Sequence, residues 1–161
     1  MKALNDAGVR YIVVGGVAVI AHGYVRFTQD LDLVVSLDDA NVKLAMETLE
    51  KQGFRPKVPV NAIDFADPAK RESWIREKHM LVFQMISGRH PSVAIDIFSS
   101  EPFPFDREWE SLSRMQVAPS IEAPIVTLST LLELKRAANR PSDRIDIQML
   151  TRARDPSSSH E

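Results

Sequence analysis

The segment Tyr11–Ser36, YIVVGGVAVIAHGYVRFTQDLDLVVS, leaves this chain few folding options. Tyr11–Val14 and Leu31–Val35 are short runs of β-branched, aromatic and aliphatic residues, the pattern of buried strands. Between them, Gly15-Gly16 opens a short helix over Val17–His22 that Gly23 stops. Strand, glycine turn, helix and second strand in quick succession commit the chain to a sheet with helices packed on it. Yet the second strand begins with Asp30 and Asp32, which a buried strand should not want.

The rest of the chain extends this pattern. Met1–Ala7 reads as the end of a helix closed by Gly8. Ser36 is placed to cap a helix with Asp38 and Asp39 in its first turn, reaching about Gln52. In that helix Val42, Ala45, Met46 and Leu49 share one face. Pro56–Pro68 has three prolines and no period and reads as loop, followed by one or two helical turns in AKRESWIREKH. MLVFQMIS and SVAIDIFSS are two strands joined by a compact GRHP turn, with further short segments at Met115–Ala118 and Ile125–Val126. At the C-terminal end, Ser129 or Thr127 caps a helix to about Asn139. Arg140-Pro141 breaks it, and Ser142 or Asp143 caps another. The expected architecture is a mixed α/β (α+β) sheet flanked by helices, with a C-terminal helical pair. Residues 1–154 form a single domain and 155–161 a mobile polar tail.

Composition narrows the function classes. The chain has 161 residues and a formal net charge of -2, so it does not coat nucleic acid by bulk electrostatics. It has no cysteine, which removes disulfides and thiolate metal sites. The N-terminal MKALNDAGVRY has no apolar signal-peptide core and no run approaches a membrane span, so a cytoplasmic protein is expected.

Asp30 and Asp32, at i and i+2 of a strand, point to the same face roughly 7 Å apart along the chain. At about 5 Å and an effective dielectric of about 20, two such charges repel by roughly 3 kcal/mol. They therefore need a cation or water. Asp96 repeats the anomaly between Ile95 and Ile97, and if its strand lies beside the first, three aspartates converge. An all-oxygen, strongly negative site suits Mg²⁺ or Mn²⁺ shared with phosphates. A Gly-Gly turn at a helix start brings backbone N–H groups close to an anion. Phosphate at Gly15 and Gly16, with metal at Asp30 and Asp32 and Asp96 as base or further ligand, is the apparatus of phosphoryl or nucleotidyl transfer.

In that order and on those elements, Gly15-Gly16, Asp30-Leu31-Asp32 and Asp96 resemble the nucleotidyltransferase superfamily that includes polymerase-β-like enzymes. The longer run VVGGVAVIAHGYVRFTQDLDLVV is similar to the minimal nucleotidyltransferases and the AbiEii-like toxin branch, including its Arg-x-Thr-x-Asp pattern at Arg26, Thr28 and Asp30. LLELKRAANRPSDRIDIQML is similar to the branch's C-terminal signature, with Lys135 as its lysine and Asp143 and Asp146 as its acids. The resemblance implies the nucleotidyltransferase fold and transfer of NMP from an NTP such as ATP to a hydroxyl of a protein or tRNA. Asp30, Asp32 and Asp96 are then the catalytic and metal residues, and Gly15, Gly16, Arg26, Thr28 and Lys135 bind nucleotide phosphate. Asp146 is a supporting acid. It also implies a setting within a toxin–antitoxin system. The alternative is a non-catalytic partner of the same fold, an antitoxin or accessory protein. Position 17 is valine, so no hydroxyl follows the glycines.

Other features read more plainly. Arg136, Arg140 and Arg144 recur at i, i+4 spacing, but Pro141 interrupts the helix between them, so they read as solvated arginines, with an RNA-binding stripe as the sharper alternative. Trp74 lies in an exposed, ion-paired helix, with base stacking as the sharper alternative. The four histidines have no zinc spacing, and His22 packs or caps. Leu128, Leu131, Leu132 and Leu134 form a core stripe whose exposed remainder would offer a homodimer face.

Overall fold

The computed structural model describes residues 1–152, so the expected tail at 155–161 lies outside the described residues. The order begins α1 (Lys2–Asp6), β1 (Tyr11–Val13), α2 (Gly15–Ala21), β2 (Asp30–Val35), α3 (Asp39–Lys51) and β3 (Phe54–Pro56). After a 3-10 turn at Ala62–Ala66 come α4 (Pro68–Lys78), β4 (Val82–Ser87), β5 (Ala94–Phe98) and α5 (Phe105–Ser111). Then follow β6 (Ser113–Ala118), β7 (Ile121–Ile125), α6 (Leu128–Ala138) and α7 (Pro141–Arg152). The strands form one seven-stranded sheet in the order β3-β4-β5-β2-β1-β7-β6. The β2–β5 and β1–β7 pairs are parallel and the rest antiparallel, so the sheet is mixed, as expected.

Side-chain alternation divides the sheet into two faces. Phe83 of β4 stands opposite Ile97 of β5, which stands opposite Leu33 of β2, which stands opposite Val13 of β1. All four are fully buried. The stripe of α3, Val42, Ala45, Met46 and Leu49, is buried as its spacing predicts. Phe65 and Trp74 stack on Phe83 with ring centroids 4.7 and 5.7 Å apart. Each such side chain contributes roughly 1.5–3 kcal/mol by leaving water. The next residue along these strands points the other way, and there the candidate site is built.

Several local expectations are corrected. Trp74 is a buried ring in the aromatic stack rather than an exposed platform. Its helix runs three turns because Asp67 caps it, Pro68 sits at its first position and His79 closes it in a left-handed conformation. The α3 cap is Asp38, which accepts from the Asn41 N–H; Ser36 is still buried beside the sheet. The Pro56–Pro68 segment contains a 3-10 turn that buries Ala62, Phe65 and Ala66. The glycines are themselves the first residues of α2, and α5 was not anticipated. Thr127, rather than Ser129, caps α6. At α7 Pro141 opens the helix and Asp143 reaches back to the Arg140 N–H at 3.1 Å, a cap made from inside the first turn. His22 packs as expected, its Nε2 2.8 Å from the Val126 carbonyl oxygen.

Candidate active site

The parallel register of β2 and β5 sets Asp32 directly beside Asp96, with Asp30 beside Ala94 at the strand mouth. On the other side of β5, Gln84 of β4 stands opposite Asp96, so one row reads Gln84, Asp96, Asp32. Gln84 Nε2 donates to Asp96 Oδ1 at 2.7 Å, and Lys57 Nζ donates to Gln84 Oε1 at 2.7 Å. Asp96 thus has one oxygen held and one left for other work. Gln84 carries no charge and sits in an ordinary alternating strand, so only the register reveals it.

The glycine turn packs onto the next position in this row. The Val14 N–H donates to the Asp32 carbonyl at 3.0 Å, bringing the α2 N-terminus against β2. Gly15 has φ +61°, and a Cβ there would overlap the Asp32 carboxylate. A Cβ on Gly16 would overlap the Thr28 side chain. Both positions are therefore glycine because backbone and side chains approach too closely for anything larger.

Electrostatics mark Asp32 as the strained member. Its pKa is pushed up to about 6, first by burial and then by the charges of Asp96 and Asp30; a Gly16 N–H and Arg140 work the other way. No described cation forms a salt bridge with any of these three aspartates. Among the described residues no group of three or more His, Asp or Glu side chains is arranged to hold a metal ion. Three like charges in one pocket repel each other, and Gln84 holds Asp96 on one side. Mg²⁺ commonly takes only one or two carboxylates and completes its shell with water and phosphate oxygens. The adjacent Asp32 and Asp96, with Asp30 at the rim and no cation against them, are a donor set that fits such an ion.

Opposite the acids, α6 and α7 present a ladder of alternating charge. Lys135 Nζ lies 2.9 Å from Asp143 Oδ1 and 2.7 Å from Asp146 Oδ2. Arg26 Nε lies 2.8 Å from Asp146 Oδ1, and Arg140 Nε 2.8 Å from Asp143 Oδ2. Burial alone would raise the Asp143 pKa, but hydrogen bonds from Arg140 and Lys135 prevail and lower it. Both acids are about 1% exposed, so their charges are tolerable only because of these partners.

One pocket of about 330 Å³ gathers Gly15, Gly16, Arg26, Thr28, Asp30, Asp32, Asp96 and Lys135. Every residue singled out in the sequence lines it except Asp146, which lies beneath and holds Arg26 and Lys135. Phe98, Leu134 and Ala138 supply an apolar wall and Arg140 a further cation; Leu134 had been expected only in a core stripe and Arg140 only as a solvated arginine.

No known protein-family model matches the chain, and no curated protein matches it significantly in sequence. Among solved structures, it is similar to the lincosamide antibiotic adenylyltransferase LnuA in its lincomycin-bound form. The TM-score is 0.60 at 15% identity, over 93% of this chain and 90% of that one. The fold is therefore that of a nucleotidyltransferase, as the motifs implied. Among the described residues no helix is long and apolar enough to cross a membrane.

Proposed function

We propose that the protein is a Mg²⁺- or Mn²⁺-dependent nucleotidyltransferase that moves a nucleoside monophosphate from an NTP to an acceptor hydroxyl and releases pyrophosphate. The observation that carries this reading is the register pair Asp32–Asp96 with the Gly15-Gly16 turn pressed against it in one pocket. Asp30, Asp32 and Asp96 would hold the divalent ion, which when bound supplies charge neutralisation to the phosphates.

The protein's own groups divide the remaining work. The N–H groups at the α2 start, Thr28 and Lys135 bind and orient the phosphate chain, while Arg26 braces Asp146. The acceptor oxygen attacks the α-phosphorus as the bond to the bridging oxygen of pyrophosphate breaks. Where Asp96 acts as base rather than as a further ligand of the ion, the hydroxyl proton passes to its Oδ2, the oxygen that Gln84 leaves unengaged. The apolar wall of Phe98, Leu134 and Ala138 excludes water that would otherwise compete as acceptor.

The similar fold of an adenylyltransferase supports the reaction class, and the Arg26-x-Thr28-x-Asp30 and Lys135-to-Asp146 patterns support the AbiEii-like branch. On that branch the acceptor is a protein or tRNA and the setting a toxin–antitoxin pair. Purified protein with labelled NTPs, Mg²⁺ and cell extract should label a macromolecule, and the Asp30→Asn/Asp32→Asn variant should not. Equal labelling by both proteins disposes of the mechanism. The uncollected carboxylates favour a second reading, a non-catalytic partner protein of the same fold. That reading predicts no thermal stabilisation by any NTP with Mg²⁺ and copurification with a cognate protein.

A further inference from the structure

The three cations around the pocket differ in how much of their hydrogen-bonding capacity is already in use. Both terminal nitrogens of Arg26 already donate, Nη2 to Asp146 and Nη1 to the Phe27 carbonyl, and its Nε is buried 2.8 Å from Asp146 Oδ1 without a hydrogen bond of its own. Lys135 is 5% exposed, donates to Asp143 and forms a salt bridge with Asp146 at 2.7 Å. Arg140 is different. Its side chain is 71% exposed, and among the described residues its only side-chain bond runs from Nε to Asp143 Oδ2. Nη1 and Nη2, the outer edge of the fork, have no protein acceptor there.

This freedom sits in an unexpected place. Arg140 lines the pocket that contains three carboxylates and is close enough for its charge to act on Asp32, yet it pairs with none of them. Asp143 holds it back. Asp143 receives both the side-chain Nε and the backbone N–H of Arg140 on one oxygen, and Lys135 on the other. A guanidinium anchored through Nε keeps its two Nη groups side by side, a spacing that matches two oxygens of one phosphate.

We propose that Arg140 is a phosphate ligand of this pocket, gripping the outer phosphates of the nucleoside triphosphate and then the pyrophosphate that leaves. This rests on the nucleotidyltransferase reading above. The α-phosphorus under attack belongs at Asp30, Asp32 and Asp96, so a fork presented from the α6–α7 turn meets the departing end of the chain. When the bond between the α-phosphorus and the bridging oxygen breaks, its electron pair stays on that oxygen. The pyrophosphate so formed carries the added negative charge toward Arg140. Asp143 is then a positioning residue, and its place in the motif follows from aiming Arg140 and Lys135 together.

Binding separates this role from others. Wild type, Arg140→Ala and Arg136→Ala are titrated calorimetrically in Mg²⁺ with whichever common NTP stabilises the wild type most, its monophosphate, and inorganic pyrophosphate. Arg136 is exposed and outside the pocket, so its variant is the charge-matched control. The expected result is a loss of roughly tenfold or more in NTP and pyrophosphate affinity for Arg140→Ala alone. Monophosphate affinity stays unchanged. If wild type binds NTP and Arg140→Ala binds it equally well, Arg140 is no phosphate ligand and the proposed function stands. Equal weakening toward the monophosphate overturns the assignment to the outer phosphates. If wild type binds no NTP at all, the underlying reading falls and takes this one with it.

Discussion

Asp32 is the residue at which stability and the proposed function pull in opposite directions, and Asp32→Asn exposes that conflict. Its pKa of about 6 stands about two units above its ordinary value of 3.8. At roughly 1.4 kcal/mol per unit, ionised Asp32 costs the ion-free fold up to about 3 kcal/mol, and about half that where residual solvent screens it. The sign follows from proton counting. Between 3.8 and about 6 the folded protein holds more protons than the unfolded chain, so stability falls as pH rises through that window. Above it the full penalty applies; below it the penalty vanishes. Asp32→Asn keeps the shape and removes the charge. With EDTA present the variant should therefore melt about 4–8 °C higher than wild type at neutral pH, with the gain shrinking toward zero below pH about 4. Thermal melts across the pH range measure this. Adding Mg²⁺ and NTP should raise the wild-type melting temperature and leave the variant unmoved, closing or reversing the gap. A variant less stable than wild type at neutral pH without metal, or a difference that ignores pH, refutes the reasoning.

Gly15→Ala should abolish the NTP-dependent melting shift and cost about 1–3 kcal/mol by urea unfolding, because φ is +61° and the Asp32 carboxylate fills the space of the new methyl. Gly8→Ala, also at positive φ but with open space around it, should cost only about 1 kcal/mol and bind NTP normally. Lys135→Met removes the cation shared by two buried acids and should cost about 3–5 kcal/mol in the same assay, with a second change, Asp146→Asn, recovering part of it. Trp74→Ala should cost about 3–5 kcal/mol by emptying the stack on Phe83, while NTP affinity in the still-folded fraction stays within about twofold of wild type.

What could be read in advance from the sequence, and what could not, follows the range of the interactions concerned. Asp30 and Asp32 stand out locally because carboxylates in an apolar strand contradict their neighbours, and Asp96 stands out for the same reason. The adjacency of Asp32 and Asp96 depends on β2 pairing in parallel with β5 across about sixty residues of intervening chain, a register that no local pattern encodes and that leaves Asp30 beside Ala94 instead. Gln84 carries no contradiction of its own and becomes visible only once that register exists. Trp74 misleads in the other direction. The lysines, arginines and glutamates around it suggest an exposed helix, but one ring at the right depth meets Phe83 and is buried. Helix α5 starts at the last residue of EPFPF, where prolines mask a short amphipathic helix whose Phe105 and Glu108 are the buried residues.

The two charged walls of the pocket explain each other. Asp143 and Asp146 carry two negative charges, while Arg26, Lys135 and Arg140 carry three positive ones, so this ladder has one unit of positive charge in excess. Facing it in the same pocket are Asp30, Asp32 and Asp96, with which no described cation forms a salt bridge. A fold selected only for stability would let Arg140 swing onto Asp32, or replace the buried ladder with apolar side chains of similar size, a change often neutral or stabilising. Keeping the two apart leaves a gap bordered by opposite charges. That gap suits a polyanion carried with a divalent cation: the metal faces the aspartates and the phosphate oxygens face the arginine and lysine. Neither component alone satisfies both walls, so phosphate chain and metal should bind with positive cooperativity. Each should raise the other's affinity by the same factor, and independent binding of the two would break this account of why the charges are held apart.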